Sequence, residues 1–190
     1  MKALILAGGF GTRLKEVISD VPKNMVSIAG KPFLEHQINF LKEQGITEII
    51  LAVHHMADQI KSYFGSGLRW VVDITYSDEE IPLGTAGAIK NAQKYIDNTF
   101  LVLNGDSYSQ INIQDLINFH KNKKGIGTVS LTKVKDSSQY GSVSISDGKI
   151  INFSEKKDGK EGLINSGVYI FEPKIFDYII KDKNASLEKD

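Results

Sequence analysis

Ala3-Leu4-Ile5-Leu6-Ala7-Gly8-Gly9-Phe10-Gly11-Thr12-Arg13-Leu14 follows directly on Met1-Lys2. Five apolar residues without a polar interruption read as a short strand buried on both faces of a sheet. The glycines that follow let the backbone take positive φ and approach a ligand closely, so successive N–H groups can aim at phosphate oxygens. Arg13 adds a planar fork suited to bidentate phosphate contact. Lys23, after the turn marked by Pro22, brings a second cation to the same mouth. A dinucleotide fingerprint would need a third glycine near Leu14, and a Walker loop would need Gly-Lys-Ser/Thr; neither is present. The alternative is a tight strand-exit turn with a solvated arginine, and the two nearby cations weigh against it.

The rest of the chain extends the same texture. Near-continuous apolar runs recur at Glu48–Val53, Val71–Tyr76 and Phe100–Leu103. Between them lie segments of helical spacing. Pro32 suits a first helical turn before Phe33, Leu34, Gln37, Ile38 and Leu41, with Gly45 as the stop. Thr85 is placed to cap a helix carrying Ala88, Ile89, Ala92 and Ile96, and Asp115 to Phe119 continue the pattern. Alternating strands and helices predict an α/β layered fold with a mostly parallel sheet, whose strand ends are where ligands bind. The last third is strand-rich: Gly127 to Val134, Tyr140 to Ser146, Lys149 to Ser154 and Gly167 to Phe171, with Asp147-Gly148 as a hairpin turn. A short helix is expected over Lys174 to Ile180.

Composition narrows the function. The 190 residues carry 23 Lys plus Arg and 23 Asp plus Glu, a formal net charge of zero. That balance provides no electrostatic footprint for a nucleic acid or an acidic membrane, so cations that matter act locally. There is no cysteine, which excludes disulfides, thiolate metal sites and thiol nucleophiles. No stretch approaches the roughly 20 apolar residues of a membrane span, and the N-terminal run is too short for a signal peptide. A cytoplasmic protein is expected.

Gly8-Gly9-Phe10-Gly11-Thr12-Arg13-Leu14, followed by Pro22-Lys23-Asn24-Met25, resembles the signature of sugar-1-phosphate nucleotidylyltransferases, the nucleotide-sugar pyrophosphorylases. Further matches run in order: Pro82-Leu83-Gly84-Thr85-Ala86-Gly87, Leu103-Asn104-Gly105-Asp106, Phe153-Ser154-Glu155-Lys156 and Asn165-Ser166-Gly167. The resemblance implies a Rossmann-like three-layer α/β fold with a mixed, mostly parallel sheet and a small β-rich sugar-binding part. It implies a single nucleotidyltransferase domain over residues 1–190. The activity implied is transfer of a nucleotide from a nucleoside triphosphate to a sugar 1-phosphate, with Mg²⁺ as cofactor.

Residue by residue, the resemblance makes Arg13, Lys23 and Asp106 the catalytic set, with Asp106 on the metal. Leu6, Ala7, Gly8, Gly9, Gly11, Thr12, Arg13, Glu79, Pro82, Gly84, Thr85 and Ala86 would hold the nucleotide. Asn104, Gly105, Tyr140, Gly141, Glu155, Lys156, Asn165 and Gly167 would hold the sugar phosphate. Out of context, Asp106 is also a turn aspartate after Asn104-Gly105, and Lys156 sits in a charged run where Lys157 replaces the family's proline. Tyr108, like Tyr140, is a candidate for the sugar site. The four histidines show no metal-ligand spacing.

Glu79 stands where relatives that read thymine or uracil carry glutamine. A carboxylate only accepts hydrogen bonds, and guanine offers adjacent N1–H and N2–H₂ donors. GTP selection and a merely solvated Asp78-Glu79-Glu80 loop both fit. The Leu-Gly-Thr-Ala-Gly loop and the chain's length resemble guanylyltransferases acting on mannose or D-glycero-D-manno-heptose 1-phosphate. UTP, dTTP or CTP specificity and a non-catalytic binding module remain the alternatives. No Asp-x-Gly motif follows Asn165, so the family's second metal aspartate is missing. Either the C-terminus is cut short or the site departs from two carboxylates. Strands of the last third offer edges for pairing in a homo-oligomer.

Overall fold

The computed structural model describes residues 1–9, 20–138, 141–154, 161–181 and 183–188, with the Ser154 side chain excepted. The strands are β1 (Ala3–Leu6), β2 (Ser27–Ile28), β3 (Lys31–Pro32), β4 (Glu48–Val53), β5 (Asp73–Asp78), β6 (Phe100–Asn104), β7 (Gly127–Val134), β8 (Ser142–Ser146), β9 (Lys149–Ser154) and β10 (Gly162–Phe171). The helices are α1 (Phe33–Glu43), α2 (Ala57–Phe64), α3 (Gly84–Asn91) and α4 (Ile113–Lys123). Eight strands form one sheet in the order β5-β4-β1-β6-β10-β8-β9, with β7 also paired to β10. β5, β4, β1 and β6 are parallel, whereas β10 runs antiparallel to β6, β7 and β8.

The apolar runs are uninterrupted because the pleat sends alternate residues into two cores. Ala3, Ile5, Ile49, Leu51, Val53, Leu101 and Leu103 meet Leu34, Ile38, Leu41, Ile60 and Phe64 from α1 and α2 on one face. Leu4, Ile50, Ala52, Phe100 and Val102 meet Ala88, Ile89 and Phe176 on the other. Each Leu, Ile, Val or Phe among them contributes about 1.5–3 kcal/mol when fully buried. Helices on both faces and a central β1 make this the layered fold expected from the sequence.

Several local expectations shift. Pro32 lies just before α1, at φ −53 and ψ 141, rather than inside its first turn. Gly45, at φ +79, ends α1 as expected. Val71 sits in the left-handed region at φ +59 after a 3₁₀ turn at Leu68–Trp70, so β5 starts only at Asp73. Thr85 does not cap α3: the helix starts at Gly84, and the Thr85 hydroxyl accepts the Leu187 N–H at 2.9 Å. The helix expected over Lys174–Ile180 is a 3₁₀ segment, Pro173–Asp177. The strand-rich last third is continuous with the main sheet. Asp147 and Gly148 have φ of +52 and +72, the two positive values a tight β8–β9 hairpin needs.

Candidate active site

β1 and β6 lie side by side, with Leu6 in register with Asn104. Both strands end at this point, and the sheet order reverses across it. That is the crevice in which open α/β sheets bind ligands. Ala7 N–H still donates to Ala52 O (2.8 Å), and Gly105 N–H to Leu6 O (3.0 Å), so the two exits are stitched to the strands beside them. A cavity of about 370 Å³ opens here, lined by Leu6, Gly8, Gly9, Glu79, the loop Pro82–Thr85, Ala88, Asn104, Gly105, Asp106 and Asn184.

Asp106 stands at one edge. Lys23 Nζ donates to Asp106 Oδ2 at 2.8 Å, and the Ser107 hydroxyl donates to Oδ1 at 3.2 Å. Lys23 reaches this position from a 3₁₀ turn, Lys23–Met25, that points its neighbour Asn24 inward. Gly105 has no room for a side chain: a Cβ there would overlap Leu6 O and stand 2.7 Å from Asn24 Nδ2. The two residues expected from the sequence to be a cation and a metal carboxylate are therefore an ion pair, brought together from 83 positions apart.

Glu79 lies at the opposite edge, just past β5. Its Oε2 accepts the Leu83 N–H at 3.2 Å, and its own N–H donates to Val53 O at 2.9 Å. Oε1 faces Gly8, where an added Cβ would come within 2.8 Å of it. Burial raises the Glu79 carboxyl above its ordinary value, and the Leu83 N–H and His54 only partly offset this. His54 Nδ1 bonds Glu79 O at 2.7 Å, which ties the end of β4 to the acidic loop. Spacing alone gives His54 no role in the sequence; its place directly after a buried parallel strand is the available signal.

Pro82, Leu83 and the first turn of α3 are braced from behind by residues 183–188. Ala86 N–H donates to Ala185 O and Ala185 N–H to Leu83 O, both at 2.9 Å, and Asn184 Nδ2 donates to Pro82 O at 2.9 Å. Gly84, at φ +71, packs so close to Ala185 that a Cβ would overlap its carbonyl, and a Cβ at Gly87 would stand 2.7 Å from Lys183 O. These glycines admit a second piece of backbone. Gly84→Ala is expected to lower stability by about 1–3 kcal/mol through strain and overpacking. Thermal melting should show a loss of several degrees.

Asn165 and Gly167 sit where β10 bends. The β7–β10 register shifts between Asn165 and Tyr169, and Gly167, at φ +77, fits against the Asn104 side chain. Asn165 Oδ1 accepts the Gly167 N–H at 2.9 Å, while Nδ2 donates to Tyr169 Oη and to Glu188 Oε1, both at 2.6 Å. Burial pushes the Tyr169 hydroxyl above its ordinary value. The Asn-x-Gly residues thus connect, through the contact of Gly167 with the Asn104 side chain, to the strand end bearing Asp106. Glu188 carries no signal in the sequence, since 23 residues separate it from Asn165.

Gly11, Thr12, Arg13, Tyr140, Glu155 and Lys156 lie outside the described residues. Ala7 is buried, and Ala86 gives its N–H to Ala185 rather than to the cavity. Gly141 is exposed and does not line the cavity. Tyr108 packs edge-on to Phe33 and Phe40, with ring centroids 6.4 and 6.0 Å away, outside the cavity lining.

The chain that builds this strand-end cavity is similar to known proteins along nearly its whole length. The profile of the Nucleotidyl transferase family matches residues 2–190, and the chain belongs to that family. It is 43% identical over 185 residues to D-glycero-alpha-D-manno-heptose 1-phosphate guanylyltransferase of Campylobacter jejuni, covering 96% of this chain and 81% of that one. It is 38% identical to UTP–glucose-1-phosphate uridylyltransferase of Synechocystis, covering 100% of this chain and 54% of that one. The crystal structure of HddC from Yersinia pseudotuberculosis complexed with GMP-PN superposes with a TM-score of 0.89 at 39% identity, over 100% of this chain and 84% of that one. The protein is therefore a nucleotidyltransferase.

Enzymes of this family generally use a divalent metal, and the donor set suits a hard cation in part. Asp106 offers carboxylate oxygens, 47% exposed and held by Lys23 and Ser107 alone among the described residues. No cluster of three or more His, Cys, Asp or Glu suited to a metal occurs among the described residues. A cation here would rest on one carboxylate together with substrate phosphates and water, an arrangement magnesium accepts. No helix among the described residues is long and apolar enough to cross a membrane.

Proposed function

We propose that the chain transfers a guanylyl group from GTP to a sugar 1-phosphate of the manno-heptose or mannose type, releasing pyrophosphate. The single observation that carries the base assignment is Glu79. Its carboxylate is half-buried at the cavity edge, fixed by the Leu83 N–H and facing Gly8. A fixed pair of acceptor oxygens complements guanine's adjacent N1–H and N2–H₂ donors. The relatives named as heptose guanylyltransferases and the GMP-PN complex of HddC support the same reading. Residues 1–190 act as one nucleotidyltransferase domain, and its substrates are metabolites of the cytoplasm.

A phosphate oxygen of the sugar 1-phosphate attacks the α-phosphorus of GTP. The new P–O bond forms as the bond from the α-phosphorus to the bridging oxygen breaks, and pyrophosphate leaves. No general base is required, because a phosphate monoester is already largely ionised at pH 7. The enzyme's task is to align two anions and offset their charge. Lys23 moves its ammonium from Asp106 to phosphate oxygens, a short step from 2.8 Å contact. Arg13 and the glycine-rich loop hold the triphosphate, and Asn104, Asn165 and Gly167 orient the sugar. Asp106 would hold the divalent metal, which when bound would supply charge neutralisation at the α-phosphate.

Pyrophosphate release with GTP, UTP, dTTP, CTP and ATP, each with mannose or manno-heptose 1-phosphate, tests the proposal. Turnover with UTP or dTTP and none with GTP would overturn the base assignment. Absence of turnover with every pair would leave a binding module. Glu79→Gln is expected to lower kcat/KM for GTP roughly 10- to 100-fold, the scale of a lost hydrogen bond to a charged group. The raised carboxyl adds a pH signature. Protonation removes an acceptor, so KM for GTP should climb as pH falls toward Glu79's elevated pKa, and Glu79→Gln should flatten that climb. The stability sign is opposite. A carboxyl whose folded pKa is raised binds its proton more tightly when folded, so ionisation at neutral pH costs stability. Glu79→Gln should therefore melt no lower than the parent at pH 7.

A further inference from the structure

Gln37 lies in the middle of α1 with 1% of its surface exposed. It occupies the apolar stripe of Leu34, Ile38 and Leu41, all fully buried. Its amide nitrogen donates to Asn104 O at 2.8 Å and to Ser107 O at 2.9 Å. Those carbonyls bracket Gly105 and Asp106, so one side chain spans the turn that presents the carboxylate. The amide oxygen, Oε1, is buried with no partner among the described residues. A methionine would fill similar volume without an orphaned acceptor, whereas only a double donor can hold both carbonyls. Apolar packing alone therefore does not account for a glutamine here.

Asn24 completes the arrangement from the other side. It is 3% exposed, and its Nδ2 abuts Gly105 and has no partner among the described residues. The Gly105-Asp106 turn is thus fixed by Gln37 through its carbonyls and confined by Asn24 through contact. Its own backbone contributes a bond from Gly105 N–H to Leu6 O and a long one from Ser107 N–H to Asn104 O, at 3.4 Å. The carboxylate side chain itself is anchored only by Lys23 and Ser107 among the described residues. Lys23 is also the group that phosphate recruits. Once Lys23 turns to phosphate, the position of Asp106 rests on how firmly its turn is held.

We propose that Gln37 is a positioning residue for Asp106, orienting the carboxylate toward the divalent metal through a double hydrogen bond to the carbonyls of Asn104 and Ser107. This rests on Asp106 being the metal carboxylate. Residues that orient a metal ligand typically change metal affinity or activity 10- to 100-fold when replaced. With one carboxylate in the described set, an orientation error is not averaged over several protein ligands.

The test uses Mn²⁺ as the probe, read by electron paramagnetic resonance on the protein with GTP and without sugar phosphate. Gln37→Met should weaken Mn²⁺ binding roughly tenfold or more and lower kcat by a similar or larger factor, with KM for GTP changed less than about threefold. Thermal melting within a few degrees of the parent separates this from a folding defect. Gln37→Glu keeps the volume and polarity but turns acceptor oxygens toward the two carbonyls. If Gln37→Met fails to fold, Gln37→Glu at pH 8 must show the same loss of Mn²⁺ affinity. A well-folded variant that binds Mn²⁺ within twofold of the parent overturns the positioning role while the parent's own Mn²⁺ binding upholds the Asp106 reading. If the parent with GTP binds no Mn²⁺, or if Asp106→Asn binds it as well as the parent, the Asp106 reading itself has failed, and the role of Gln37 with it.

Discussion

Asp106→Asn should lower kcat roughly 100- to 1,000-fold, the range seen when one preorganised charge-stabilising group is removed from a transition state. The substitution is nearly isosteric, and the amide oxygen it introduces can still accept from Lys23. What disappears is the negative charge that, in the proposed role, would draw a cation to the α-phosphate. Fold stability should barely move. The Lys23–Asp106 pair is 33% and 47% exposed on its two side chains, and ion pairs of that exposure contribute about 0–1 kcal/mol. Lys23 loses its anionic partner but is itself retained, so GTP affinity measured without metal should be unchanged or tighter. The three readouts together discriminate. A stability loss with proportionate activity loss would make Asp106 a turn residue. A kcat within tenfold of the parent would remove it from the catalytic set.

Lys23 and Asp106 are legible in the sequence because each follows a recognisable break, Pro22 for one and an apolar strand with Asn-Gly for the other. The parallel strands are legible because burial on both faces leaves no polar interruption, as Ala3–Leu6 and Phe100–Leu103 display. Local pattern is silent where the structure depends on distant backbone. The helix α2 covers eight residues and buries only Ile60 and Phe64, too little to write a periodic stripe. Thr85 looks like a cap because its partner, Leu187, lies 102 positions away. Gly84, expected at the nucleotide, lines the cavity and also meets the backbone of Ala185, and Gly87 meets that of Lys183, contacts that no local pattern announces. Gln37 does leave a trace, a polar residue between Leu34 and Ile38 on a stripe that is otherwise apolar. A buried polar side chain in a helix needs partners, and the partners of this one lie in the Asp106 turn.

Gly105→Ala should damage fold and catalysis together, because the glycine stands where three elements converge. A Cβ at 105 overlaps the Leu6 carbonyl, which accepts the Gly105 N–H across the β1–β6 junction, and approaches Asn24 Nδ2 to 2.7 Å. One obstacle is backbone in the central strand and the other is an almost fully buried side chain, so neither yields easily. Overpacking of this kind costs about 1–3 kcal/mol and more when backbone must shift. At roughly 2–4 °C per kcal/mol for a chain of this size, melting should fall by about 2–12 °C. The turn moves away from Leu6 to make room and carries Asp106 off the line set by Gln37. Activity in the folded protein should therefore drop about 100-fold, since an ångström of misplacement is enough for that. Gly84→Ala is the natural comparison. It also overlaps a backbone carbonyl, that of Ala185, but on the far side of the nucleotide loop, so it should lose stability with a smaller change in kcat and a larger one in KM for GTP. If the two variants lose kcat equally at temperatures where both are folded, the steric coupling between Gly105 and Asp106 is absent, and the turn tolerates displacement without consequence for the chemistry.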